Sequence, residues 1–138
     1  MWRVSAYNPA EGFGFCAKED DPTEEVFFHA EAFRRVRPGG PLPILGETVT
    51  LGRIKEGGGR RPAALEVTRS VEPPLLQGEV TRFDPARGWG FLDYCADPVF
   101  FHRAECRRSW VPLAGQPVEF YMGTTRGKPR ALWVRPLE

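Results

Sequence analysis

Long apolar runs are missing from this chain of 138 residues, and so is any cluster of cysteines. Its uncharged stretches are short and broken by proline, whereas a membrane-spanning helix needs about 20 consecutive apolar residues, so no such span is expected. The opening residues, MWRVSAYNPAEGFGF, lack the basic-then-apolar layout of a secretion signal. Three cysteines (Cys16, Cys95, Cys106) without C-x-x-C spacing offer neither a disulfide framework nor a zinc knuckle. Small, half-buried thiols in a reducing compartment are the simpler expectation, which points to the cytoplasm. Two histidines, one in each half of the chain, do not complete a metal site with cysteines so dispersed. An excess of charge is missing too: 19 Lys and Arg face 18 Asp and Glu, a net +1. A protein held to nucleic acid mainly by neutralising phosphates carries a basic surplus. Charge-led binding is therefore disfavoured, while binding led by stacking stays open.

What the chain has instead is turn residues and rings. Gly (15) and Pro (14) favour many short elements over long helices. The aromatics recur with the turn residues in a fixed order. VSAYNPAEGFGFC (4–16) aligns with VTRFDPARGWGFL (80–92), and EEVFFHAEAFRR (24–35) aligns with DPVFFHRAECRR (97–108). LGETVTLGRIKEGGGRRPAALEV (45–67) then aligns with AGQPVEFYMGTTRGKPRALWV (114–134). The first copy is longer between its first two motifs, in the acidic turn KEDDPTEE (18–25). Such full-length self-similarity is duplication of a domain. The expected division is 1–70 and 77–138, joined by a short Pro-containing linker at 71–76.

Within each copy the period is that of strands: Val49/Leu51 and Val118/Phe120/Met122 alternate with polar neighbours. GGGRRP (57–62) and TTRGKP (124–129) read as connections between the last two strands. AEAFRRV (30–36) and RAECRRS (103–109) hint at helix, a turn or two at most. Five short strands in so few residues predict a small barrel, which removes exposed sheet edges. The fold class expected is all-β, two five-stranded antiparallel barrels in tandem.

On a strand, residues at i and i+2 share a face. Phe13 and Phe15 therefore point one way, as do Trp89 and Phe91. In VFFH, Phe27 and His29 share a face, and Phe100 and His102 repeat this. Each copy is expected to gather three rings and an imidazole on one sheet face. The cluster is either core or binding surface. Val4, Val26, Phe28, Val49, Leu51, Leu65 and Val67 already supply an opposite face able to fill a small barrel. A second apolar face is surplus, and surplus aromatic surface marks a binding site. Bases of single-stranded nucleic acid stack on such rings at about 1–3 kcal/mol each, without a large positive charge.

The residues GFGF and VFFH resemble the two ribonucleoprotein motifs of cold-shock domains, K-G-F-G-F-I and V-F-V-H-F. AYN and RFD stand where that family has W-F-N, and RRPAALEV and GKPRALWV are similar to its closing K-G-P-x-A-x-x-V. The resemblance implies OB-type barrels that bind single-stranded RNA or DNA with little sequence preference, in the manner of an RNA chaperone. It also implies stacking platforms at Phe13, Phe15, Phe27 and His29, and at Trp89, Phe91, Phe100 and His102. Tyr7 and Phe83 match a flanking aromatic, and Trp110 in WVPLAG matches a further loop ring. Arg82, Arg87, Arg103, Lys128 and Arg130 are expected near phosphates. The copies depart from the family differently: its Trp is Ala6 in one and Arg82 in the other, and its basic residue is Glu11 in one and Arg87 in the other. The second copy is therefore expected to bind more tightly. The runner-up is that one or both barrels serve as protein-interaction modules.

No catalytic pattern competes with binding. The H-x-E at 29–31 has no accompanying P-C-x-x-C, which zinc deaminases require. GGGR (57–60) lacks the Lys-Ser/Thr continuation of a phosphate loop, and no nucleophile elbow is present. A monomer without enzymatic activity, cofactor, metal or membrane partner is the expectation.

Overall fold

The computed structural model describes residues 1–56, 61–125 and 127–137; residues 57–60 of the first expected connection and 126 of the second lie outside them. The chain divides into two compact units, Met1–Pro73 and Pro74–Glu138. The first contains β1 (Trp2–Asn8), β2 (Phe13–Lys18), β3 (Glu25–His29), β4 (Phe33–Arg34), β5 (Thr48–Lys55) and β6 (Ala63–Arg69). The second contains β7 (Leu76–Asp84), β8 (Trp89–Tyr94), β9 (Asp97–His102), β10 (Pro117–Thr125) and β11 (Lys128–Pro136).

In the first unit the order β3-β2-β1-β5-β6 returns on itself through pairing of β6 with β3, and the two-residue β4 continues along the same edge of β6, beside Val67 and Thr68. In the second, β10-β11-β9-β8-β7 is a closed barrel. The expectation of purely antiparallel barrels needs correction, because the closing seams are parallel, Phe27 beside Ala63 and Phe100 beside Arg130. The reason is geometric. Direction cannot alternate all the way round a ring with an odd number of strands, so at least one pairing must be parallel. The two helical hints shrink to 3-10 turns at Ala30–Ala32 and Arg103–Glu105.

The turn that brings β2 back against β1 is written in the sequence NPAEG. Asn8 Oδ1 accepts the N–H groups of Ala10 (3.0 Å) and Glu11 (3.2 Å), and the Gly12 N–H reaches the Asn8 carbonyl at 2.9 Å. Asp84 makes the same bonds to Ala86, Arg87 and Gly88 in DPARG. An Asx side chain holds such a turn and the following Pro pre-sets its φ. Gly closes it at φ +72° and +77° respectively, in the left-handed region that other residues enter at a cost.

The two cores use the same repeat positions. Val4, Cys16, Val26, Phe28, Val49, Ala64 and Val67 pack in the first, and Val80, Leu92, Val99, Phe101, Val118, Ala131 and Val134 in the second. Complete burial stabilises by roughly 1.5–3 kcal/mol for each side chain of Val or Phe size. Leu65, expected among these, is instead 50% exposed. The in–out alternation of β6 breaks opposite Arg53, where β5 kinks (φ 22°), so that Ala64 rather than Leu65 faces inward. Ile44, from the loop before β5, is fully enclosed.

The loop before the fourth barrel strand is fastened differently in the two units. Arg69 is completely buried and meets Glu47, itself 7% exposed, through Nε–Oε1 (2.6 Å) and Nη2–Oε2 (2.7 Å). Its Nη1 and Nη2 also donate to the carbonyls of Pro41 and Leu42. Glu47 further accepts the Ile44 N–H. At the same repeat position Gln116 accepts the Leu113 N–H and the Trp110 indole N–H. An acidic anchor with its arginine has become a neutral amide with its tryptophan.

Candidate nucleic-acid interface

Cross-strand neighbours share a sheet face, so the pairing register decides which rings meet. Phe13 lies opposite His29 and Phe15 opposite Phe27, while Gly14 lies opposite Phe28. Phe13, Phe15 and Phe27 accordingly form one cluster with centroids 5.6–6.0 Å apart, and His29 adds an edge contact to Phe27 at 5.1 Å. The second unit repeats this with Trp89, Phe91 and Phe100 at 5.8–6.3 Å. All six rings are half-buried, so each keeps surface open to solvent. His102, across the ladder from Trp89, accepts the Ala104 N–H on Nδ1 at 3.0 Å, which leaves Nε2 as the protonated nitrogen of the neutral ring.

The interleaved glycines have their own reason. A Cβ on Gly14 would stand 2.5 Å from the Ala6 carbonyl oxygen and 2.8 Å from Cζ of the buried Phe28. The strand can carry rings on one face only because the other face admits a backbone and a phenylalanine.

A β-bulge in the first strand of each unit then sorts the remaining aromatics. Register shifts between Val4 and Ala6, placing Ala6 opposite Phe15 and Tyr7 opposite Gly14. It shifts likewise between Val80 and Arg82, placing Arg82 opposite Phe91 and Phe83 opposite Gly90. Tyr7 and Phe83 thus fall on the glycine side, away from both platforms. Tyr7 stacks on Phe28 (6.3 Å, 11° between planes) and Phe83 on Phe101 (5.9 Å, 6°). Each covers the interior surface that glycine leaves bare. Both rings are half-buried, so Tyr7 and Phe83 pack against the core ring beside them and stand apart from the platform clusters. Trp110 also stands apart from the ring cluster: its indole packs on the second core and donates to Gln116 Oε1 at 3.2 Å.

The cations divide as well. Arg82 lies over Trp89 and Phe91, its Cζ 5.1 and 5.3 Å from their centroids, and Arg130 lies over Phe100 at 5.6 Å. Arg87 and Arg103 are exposed beside the Asp84–Gly88 turn; Arg87 Nε is 3.9 Å from Asp84, and the Arg103 N–H bonds to the Gly88 carbonyl. Lys128 is exposed at the start of β11. Sequence reasoning missed Arg61, whose guanidinium lies 4.9 Å from the centroid of Phe15. The signal was present, since R-P at 61–62 aligns with K-P at 128–129. Arg61 is already engaged, with Nη1 3.2 Å from Glu25 Oε1, while Ser5 donates to the other carboxylate oxygen. The first unit holds 10 basic and 11 acidic residues, the second 9 and 7.

Each unit therefore belongs to the class of small OB-type β-barrels, with an aromatic cluster across its second and third strands. No family model matches the chain, and no curated protein does. Among solved structures it is similar to drosophila Unr CSD456, at 17% identity and a TM-score of 0.41. The match covers 99% of this chain and 61% of that one, so the chain spans less than two thirds of its length. No helix among the described residues is long and apolar enough to cross a membrane.

Proposed function

We propose that this chain is a tandem cold-shock-domain-like protein that binds single-stranded RNA or DNA through its ring clusters and keeps such strands open. The observation that carries the reading is the coplacement of three half-exposed rings on one face of each barrel, although each core is already complete. Rings in that position offer π-faces to successive bases at about 1–3 kcal/mol per stacked base. The chemistry is binding and not catalysis, and needs no cofactor.

The second barrel carries the larger share of affinity. Its platform has Arg82 and Arg130 on the rings, and the same barrel exposes Arg87 and Arg103 at the Asp84–Gly88 turn and Lys128 at the start of β11. The cation of the first platform is tied to Glu25, and Glu11 stands exposed in the turn before Phe13. Those carboxylates favour a second reading for the first barrel alone, as a module that docks a protein segment.

An electrophoretic shift with a mixed-sequence oligonucleotide of roughly 20 nucleotides tests the proposal. Phe13→Ala with Phe27→Ala should weaken binding, and Trp89→Ala with Phe100→Ala should weaken it further. Binding that survives all four substitutions moves the site away from the platforms. Absence of binding by the unsubstituted chain refutes the single-strand reading.

A further inference from the structure

Arg82 occupies the repeat position of Ala6, and both lie across the ladder from the second ring of their platform. The consequence differs between barrels. At Ala6 a methyl group puts no cation on the first platform, where the guanidinium over Phe15 comes from Arg61 and is tied to Glu25, whereas the Arg82 guanidinium spans Trp89 and Phe91, and Arg130 lies over the third ring, Phe100. Among the described residues no carboxylate pairs with Arg82; its contacts are to the rings. Arg130 Nε is buried and has no hydrogen-bond partner among them. Burial raises the pKa of Glu105, and the positive charge of Arg130 works against that rise.

We infer that Arg82 is a charge-operated cover on the second platform, an inference that rests on the single-strand reading of that platform. A base takes the faces of Trp89 and Phe91 only where the guanidinium leaves them. A phosphate draws the guanidinium off by offering a charge-assisted, two-point hydrogen bond in exchange. A flat ligand without phosphates offers nothing in exchange and competes against the cation–ring attraction. The cover makes the platform select anionic strands over neutral aromatic compounds. Rings alone cannot make that distinction, because every base and most flat ligands have a π-face. On the first platform Ala6 supplies no such cover, and the cation over Phe15, Arg61, is already held by Glu25.

The test compares two oligothymidine probes of equal length, one with phosphodiester and one with uncharged methylphosphonate linkages. Both are titrated into the full chain carrying Phe13→Ala and Phe27→Ala, with and without Arg82→Ala. They are titrated again into the otherwise unsubstituted chain, where the changes should be smaller and of the same sign. Removing the cover should strengthen binding of the uncharged probe about two- to fivefold, the worth of one exposed guanidinium–ring contact. The same substitution should weaken phosphodiester binding and lower its salt slope by about 0.7, one phosphate contact. Weaker phosphodiester binding with the uncharged probe unchanged makes Arg82 an ordinary phosphate contact and overturns the cover. Parallel changes for both probes overturn it too. If neither probe binds before Arg82 is changed, the single-strand reading itself falls, and the cover with it.

Discussion

Replacing Gly14 by Ala adds one methyl group to the side of β2 that faces away from the rings. That carbon would stand 2.5 Å from the Ala6 carbonyl oxygen and 2.8 Å from Phe28 Cζ. Neither neighbour yields easily: one is ladder backbone at a bulge, and the other is a fully buried ring. Overpacking of this kind costs about 1–3 kcal/mol, and two immobile neighbours put this site at the upper end. Alanine recovers about 0.5–1 kcal/mol because glycine loses more chain entropy on folding. The net loss is about 2 kcal/mol, which lowers the melting temperature of a unit this size by about 8–16 °C. Thermal unfolding followed by far-UV circular dichroism measures it. Gly12→Asn is the control, since Gly12 sits at φ +72° with nothing within 4 Å of its added Cβ, and Asn tolerates that backbone. The expected order is a large loss for Gly14→Ala and a small one for Gly12→Asn. An unchanged midpoint for Gly14→Ala would show that β1 can step aside, and would refute close approach as the reason for the glycine.

Thiol chemistry and pH provide two independent checks. Cys95 is exposed, whereas burial pushes the thiols of Cys16 and Cys106 up to about 12. Maleimide at neutral pH should label Cys95 in the folded chain and all three cysteines after unfolding; early modification of Cys16 would contradict its place in the core. Burial raises the Glu105 carboxyl above its ordinary 4.5, against the lowering influence of Arg130. The folded state therefore holds that proton more tightly, and Glu105 opposes folding once pH rises through its unfolded value. Glu105→Gln should stabilise the second unit at pH 7, with the gain fading as pH falls towards about 4.5 and absent well below it. Urea titrations at the two pH values that show equal gains would contradict that assignment.

How far these features were legible in the sequence varies by residue. Period-two reasoning and the repeat place the rings at 13, 15 and 27 on one face of the first unit and those at 89, 91 and 100 on one face of the second, and the structure brings each trio together. The parallel seam was legible in principle, since an odd number of strands in a closed ring requires one. Tyr7 and Phe83 were not legible, because a one-residue bulge reverses every facing beyond it and leaves no mark in hydrophobic alternation. Leu65 was misread for a related reason, a backbone kink at Arg53 on the neighbouring strand.

Sequence by itself determined the duplication, the strand-rich architecture, the Asx–Pro–Gly turns and the pairing of ring clusters with cores. Each depends on local periodicity or local backbone chemistry, which a chain carries wherever it folds. Only the tertiary structure decided which face Ala6 and Arg82 occupy, that Arg61 is held by Glu25, and that Arg82 and Arg130 lie on the second platform. Those facts depend on register between strands and on distances between residues far apart in sequence, quantities that alternation alone does not specify.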